Sequence, residues 1–498
     1  MSHVNIQRWF FGMIGNLLLI VAGFQTVPLF SSTGLGEERP AERPNILLAI
    51  ADDWAWPHAG AYGDPAARTP TFDRIAREGV LFTRAHVNAP TCTASRGALL
   101  TGQASHRLEE GANLHSRLMA KFRCYPDVLE ENDYVIGSMR KGWGPGSLEG
   151  TGRKRNPAGP SFKSFEQFLK TVPPDKPFCF WFGTSDPHRP YEKGSGEAAG
   201  IDPKRVRVPP FLPDTPIVRS DIADYLFEVE RFDRELGEAL ALLEKSGRLD
   251  NTLIIVTGDN GMPFPKAKAT CYDAGTHVPL AICWRARVPG GRIVDDFISL
   301  TDVAPTILEA AGLEPLPEMT GRSFLNILLS NQSGRVDPSR DHVFTERERH
   351  TCTRPNNASY PIRSIITERW HLIWNLRPQL WPAGNPPEES VGRDYGDIDG
   401  SPTWSEMLAR KDDPAIRPFF LAAAGAKRPE FELYDLQADP GEMHNLSGKP
   451  ELAQVENELK AKLRDWMVST GDPRALGDTD YWDRAPYYGG EGTVRRNR

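Results

Sequence analysis

Runs of consecutive apolar residues, each ending in a polar cluster, set the pattern of this chain. Asn45-Ile46-Leu47-Leu48-Ala49-Ile50-Ala51 runs into Asp52-Asp53. Tyr134 to Ser138 ends near Lys141, and Phe178 to Thr184 runs into Ser185-Asp186-Pro187-His188-Arg189. Thr252-Leu253-Ile254-Ile255-Val256-Thr257 leads to Gly258-Asp259-Asn260-Gly261. Short apolar runs bounded by turn residues read as buried strands. Helical spacing separates them. Between Ser220 and Gly247, Ile222, Leu226, Val229, Phe232, Leu236, Leu240 and Leu243 fall on one stripe. Asp302 and Pro305 open an apolar helix that reaches Ala311. Strands alternating with helices predict an α/β fold with a mainly parallel central sheet. In such sheets ligands bind beyond the carboxyl ends of the strands, which is where the polar clusters fall.

Proline and glycine become dense from Leu313 to Gly321, and a boundary is expected near Asn331 to Arg340. Tyr360 to Ile366, Trp370 to Leu376 and Phe431 to Asp435 follow as short strand-like runs, and Leu452 to Val468 reads as a terminal helix. The expected division is a main domain over 44–335 and a smaller C-terminal α+β domain over 336–498. Pro382 to Ala415 is rich in Pro, Gly and Asp and reads as loop. At the N-terminus Arg8 precedes an apolar run from Trp9 to Phe24, shorter than the ~20 residues that span a bilayer. Residues 1–30 read as a signal peptide or an uncleaved N-terminal anchor, and 31–43 as a polar linker. Export to a periplasmic, extracellular or organellar space is expected, with no membrane span in the mature chain.

A length of 498 residues accommodates two domains. A net charge of −7 argues against a polyanion-binding surface, so no nucleic-acid partner is expected. The six cysteines (Cys92, Cys124, Cys179, Cys271, Cys283 and Cys352) show no zinc spacing, and one disulfide of unassigned pairing stays open.

Two features carry candidate chemistry. Asp52-Asp53 and Asp259-Asn260, each after a strand, supply oxygen ligands that suit Ca²⁺ better than zinc. Between them lies Cys92-Thr93-Ala94-Ser95-Arg96-Gly97-Ala98-Leu99-Leu100-Thr101-Gly102. With Ser95 and Arg96 in the first turn of a helix, helix dipole and guanidinium would both favour an anion at Cys92.

This stretch resembles the signature of the sulfatase family, C-x-P-S-R-x-x-x-L-T-G. The resemblance extends over Arg43 to Asp53, Thr69 to Ala76, Asp186-Pro187-His188-Arg189, Asp259 to Pro265, Leu300-Thr301-Asp302, Ser359 to Ser364 and Phe431 to Asp435. Pro263-Phe264-Pro265 is similar to the heparan N-sulfatase branch. The resemblance implies an alkaline-phosphatase-like fold and hydrolysis of sulfate esters or sulfamates. The implied substrate is N-sulfoglucosamine of heparan-type glycans, as in glycosaminoglycan degradation. It implies that a maturation enzyme oxidises Cys92 to formylglycine. The metal Ca²⁺ would be held by Asp52, Asp53, Asp259, Asn260 and the modified Cys92. Arg96 would hold the formylglycine hydrate, Lys141 and Lys268 would bind sulfate oxygens, and His188 would protonate the leaving group. Two positions depart from the pattern. Ala94 replaces the family's proline, and Trp143 stands where a histidine is expected, leaving His106 or His115 to serve in its place. Arg347 and His350, in Glu346-Arg347-Glu348-Arg349-His350, are candidate sugar contacts or part of a solvated charged loop; Arg363 and Asn375 are further candidates. The alternatives are an O-sulfatase on another sulfated polysaccharide, or a non-catalytic sulfated-glycan-binding protein on the same scaffold. A homodimer stays open.

Overall fold

In the computed structural model, which describes residues 43–489, the apolar runs become adjacent strands of one sheet. Its strands are β1 (Asn45–Ala51), β2 (Val80–His86), β3 (Val135–Met139), β4 (Ser161–Phe162), β5 (Phe178–Gly183), β6 (Thr252–Gly258), β7 (His277–Cys283), β8 (Arg292–Val294) and β9 (Ile298–Ser299). The order is β4-β3-β5-β1-β6-β7-β2-β8, with β9 also paired to β2. β1 lies parallel to β5 and to β6, and β3 parallel to β5, while β7 runs antiparallel to β6 and β2. Every residue of β1, β5 and β6 is buried, as uninterrupted apolar runs require.

Register then places the chemistry. Ala51 pairs with Gly258, Ile50 with Gly183, and Met139 with Phe182. The segments that follow (Asp52-Asp53, Asp259-Asn260, Asp186 to Arg189, and Lys141) therefore leave the sheet at one edge. Small residues let these exits crowd together. A side chain at Gly258 would meet the Trp54 carbonyl oxygen at 2.1 Å, and one at Gly183 the Lys141 carbonyl oxygen at 2.0 Å.

Helices cover both faces. The helix Pro216–Lys245 starts at Thr215, whose hydroxyl accepts from the Val218 amide at 3.3 Å. Its expected stripe, including Ile222, Val229, Phe232, Leu236 and Leu243, is buried. The helix Cys92–Thr101 has every residue buried and begins at Cys92 itself, so the thiol sits in the first turn and not ahead of it.

A second sheet is antiparallel, ordered β10 (His342–Arg347), β11 (Ile362–Thr367), β12 (Trp370–Asn375) and β13 (Phe431–Asp435). Helix Ala453–Ser469 packs Leu459, Leu463 and Met467 against Ile365, Leu372 and Leu433 of that sheet.

Three expectations are corrected. Pro382 to Ala415 is not all loop: Ser401 accepts from the Trp404 amide and caps a helix over Pro402–Ala409. Glu346 to His350 is no solvated loop, because all five residues are 3% exposed or less. All six cysteines are buried and free, so none of them forms a disulfide. The N-terminal signal or anchor over 1–30 and the linker before Arg43 lie outside the described residues. Among the described residues no helix is long and apolar enough to cross a membrane.

Candidate active site

At the strand-end edge, four potential ligand atoms from Asp52, Asp53, Cys92 and Asp259 lie within 4.8 Å of one another, all from buried residues. The Cys92 Sγ is 3.5 Å from Asp52 Oδ1 and 4.0 Å from Asp53 Oδ1. Asp53 adopts a left-handed backbone (φ 71°), and its amide donates to Asp259 Oδ1 at 2.8 Å. Asn260 Nδ2 donates to Asp53 Oδ1 at 2.7 Å, which ties the two strand ends together.

Three cations answer the three carboxylates. Arg96 donates from Nε to Asp259 Oδ2 at 2.7 Å and from Nη1 to the Lys141 and Gly142 carbonyls. Lys141 Nζ lies 2.5 Å from Asp52 Oδ2, and Lys268 Nζ lies 2.7 Å from Asp53 Oδ2. Burial raises the Asp52 carboxyl, but Lys141 and Arg96 outweigh it and hold the group below its ordinary range. Lys268 stays charged in spite of burial because Asp399 and Asp53 flank it. The free Cys92 thiol behaves otherwise than the helix start suggests. Burial pushes its pKa well up; Lys141 and Lys268 oppose this, while Asp259 and Asp52 reinforce it. The thiol is therefore neutral and not an activated nucleophile.

The donor set fits a hard divalent cation. Asn260 Oδ1 is buried with no hydrogen-bond partner, beside three carboxylates. Arg96 Nη2 is likewise buried without a hydrogen bond, 3.7 Å from Asp52 Oδ1. Two other ligand-like groupings are satisfied within the protein. In one, His277 contacts Asp273 at 3.2 Å and the Thr83 carbonyl at 2.9 Å, and its ring stacks on Trp56 and His86. In the other, His106 pairs with Glu346 at 2.8 Å and Asp472 with Arg363 at 2.6 Å.

His188 stands beside the centre. Its Nδ1 meets the Arg189 carbonyl at 2.5 Å, and a carbonyl only accepts, so Nδ1 carries the hydrogen. That turns Nε2 toward the site, 3.9 Å from Asp53 Oδ2. Arg189 itself is structural, forked onto Asp221 at 2.8 and 2.9 Å.

Likeness to known proteins, in family models, in curated relatives and in solved structures, bears on this edge. The model of the family described as Sulfatase matches residues 44–147 and 158–313. The chain belongs to the sulfatase family. A second model, described as N-sulphoglucosamine sulphohydrolase, C-terminal, matches residues 266–382. Human N-sulphoglucosamine sulphohydrolase is 31% identical over 504 aligned residues, covering 88% of this chain and 92% of the relative. An ulvan-active sulfatase of Formosa agariphila is 24% identical, with 88% and 77% covered. Among solved structures, one in complex with its substrate D-glucosamine-2-N,6-O-disulfate superposes with a TM-score of 0.62 at 20% identity, covering 88% of this chain and all of that one. The phosphonate monoester hydrolase of Agrobacterium radiobacter superposes at 0.60 with 18% identity, covering 86% and 96%. Likenesses at that identity show the alkaline-phosphatase-like fold, and the fold alone does not choose between sulfate and phosphonate.

This sulfatase brings Asp52, Asp53, Cys92, Arg96, Lys141, His188, Asp259, Asn260 and Lys268 to one centre. It does not bring Arg347 there as a free cation: that guanidinium is buried in an ion pair with Asp397 and bonds the Pro382 carbonyl. Arg363 is locked between Asp472 and Glu348, and Asn375 donates to Glu432. His350 does lie at the site's margin. Its Nδ1 bonds Thr91 Oγ1 at 2.8 Å, next to Cys92, and burial pushes its pKa down to about 3. Trp143 is core, 5% exposed, with its indole over Gly97. Of the two histidines expected to replace the missing one, His106 is sequestered with Glu346. His115 is the one within electrostatic reach of Lys141; burial, Arg393 and Lys141 together push it down to about 4. Sequence reading missed Asp399, whose Oδ2 is 3.1 Å from Lys268 Nζ. It sits in a Gly- and Asp-rich stretch with no motif around it.

Proposed function

We propose that this sulfatase removes the N-linked sulfate of N-sulfoglucosamine in heparan-type glycans, using Ca²⁺ and a formylglycine made from Cys92 by a maturation enzyme. The observation that carries the reading is the His188 imidazole, held by Arg189 with Nε2 facing the acidic centre. An amine is a poor leaving group unless protonated, and His188 is placed to supply that proton. The human relative, whose name is an N-sulfoglucosamine hydrolase, supports the same substrate class. So does the match of residues 266–382, a span that includes Lys268, to the C-terminal model of that enzyme.

Asp52, Asp53, Asp259 and the free Asn260 Oδ1 would hold the cation, together with the modified Cys92. When present, the metal and the aldehyde hydrate supply Lewis-acid polarisation and the nucleophilic oxygen. Lys141 and Lys268, which pair with Asp52 and Asp53, would bind the sulfate oxygens as point charges when those carboxylates hold the metal. Arg96 Nη2 is the free donor for the hydrate. With Nδ1 keeping its hydrogen on the Arg189 carbonyl, His188 Nε2 takes up a proton and passes it to the departing nitrogen. Export from the cytoplasm and a sulfated saccharide partner belong to the same reading.

The test compares glucosamine N-sulfate with glucosamine 6-O-sulfate in the mature enzyme, and both with an activated aryl sulfate in His188→Ala. Preference for the N-sulfate is expected. The substitution should slow N-desulfation far more than aryl sulfate hydrolysis, because a phenolate leaves without a proton. Preference for the 6-O-sulfate would make the chain an O-sulfatase and overturn the substrate assignment.

A further inference from the structure

Asp399 does not suit the part of the pocket that holds sulfate. Its Oδ2 lies 3.1 Å from Lys268 Nζ, the same ammonium that pairs with Asp53 Oδ2 at 2.7 Å, and Asp399 is partly open to solvent. Burial raises its carboxyl, but Lys268, His350 and His188 hold it well below the ordinary range, so it is an anion. A fixed anion repels a sulfate or sulfamate. Through Lys268, Asp399 neighbours Asp53, whose Oδ2 is the atom 3.9 Å from His188 Nε2, whereas Lys141 pairs with Asp52. His188 is the group that faces the leaving atom.

The leaving atom of a sulfamate is the one that changes sign. In net, R–NH–SO₃⁻ and H₂O give R–NH₃⁺ and SO₄²⁻. The S–N bond breaks and its electron pair stays on nitrogen. Water delivers its oxygen to sulfur, and its two protons end on nitrogen, the first passing through His188 Nε2. An alcohol leaving group gains one proton and stays neutral. A carboxylate within electrostatic reach of His188 therefore helps an amine depart and gives an alcohol no comparable help.

We infer that Asp399 is the specificity residue of this site, receiving the ammonium of the desulfated sugar and biasing the enzyme toward sulfamates over sulfate esters. This rests on the N-sulfoglucosamine reading above.

The experiment uses the mature holoenzyme and its Asp399→Asn and Asp399→Ala variants. The readout is the ratio of kcat/KM for glucosamine N-sulfate to kcat/KM for an aryl sulfate. A hydrogen bond to a charged group sets the scale, so the ratio should fall roughly ten- to a hundredfold. In wild type, glucosamine should inhibit aryl sulfate hydrolysis at lower concentration than glucose, and Asp399→Asn should erase that difference. An unchanged ratio, with both substrates falling together, would show that Asp399 only positions Lys268 and would overturn the inference while the N-sulfate reading stands. Glucosamine binding no tighter than glucose in wild type overturns it too, without recourse to a variant. If wild type prefers the 6-O-sulfate, the substrate reading falls first and the inference with it.

Discussion

Replacing Arg96 with methionine tests whether the three carboxylates share one cation-binding centre. The guanidinium is fully buried and donates to Asp259 Oδ2 and to the carbonyls of Lys141 and Gly142. Methionine fills similar space but leaves Asp259 and Asp52 facing each other with one cation fewer. Breaking a buried pair by removing one partner costs about 3–5 kcal/mol. That loss is expected in the chelated protein, where no other positive charge replaces Arg96. A divalent cation between the carboxylates changes the result. The variant centre is more negative, so it binds Ca²⁺ more tightly, and each tenfold gain in affinity returns about 1.4 kcal/mol at saturating metal. Urea unfolding with chelator and with excess Ca²⁺, on wild type and Arg96→Met, measures both terms. The Ca²⁺-dependent increment should be larger in the variant, while sulfatase activity is lost in either condition because Arg96 Nη2 is gone. Equal Ca²⁺ increments in the two proteins would refute the shared centre. A loss under about 1 kcal/mol in chelator would refute the buried ion pair itself.

Cys92→Ala should abolish sulfatase activity and leave the unfolding midpoint nearly unchanged, since a neutral buried thiol is replaced by a small apolar group; mass spectrometry of the Cys92 peptide from active protein should show the aldehyde, and full activity in the variant would end the proposed mechanism. Asp472 gives a pH test away from the site: burial raises its carboxyl, but Arg363 draws it down to about 2 from 3.8. A carboxyl depressed in the folded state stabilises above its unfolded value and loses that contribution as pH falls from about 4 through about 2. The shift corresponds to about 2 kcal/mol, so acid unfolding of Asp472→Asn should begin from lower stability and show a shallower slope in that window, and identical slopes would refute the assignment.

Local pattern was enough for the central strands and the long helices. Uninterrupted apolar runs and three- and four-residue spacing are properties of neighbouring residues, and β1, β5, β6 and Pro216–Lys245 formed where those patterns lay. The strand-end position of Asp52, Asp53, His188, Asp259 and Asn260 followed, because parallel strands end on one edge whatever their order. Only tertiary packing decided which polar residues meet. Asn260 reaches Asp53 across 207 residues of chain, and the register of β1 on β6 makes that contact. Arg347 and His350 are close in sequence, yet one is spent on Asp397 and the other lies beside Thr91. His106 and His115 looked interchangeable until burial put one against Glu346 and the other near Lys141. Asp399 carries no local signal at all. A single carboxylate in a Gly-rich stretch acquires meaning only from the ammonium it faces, and that distance is set by how the segment after Pro382 packs over Lys268.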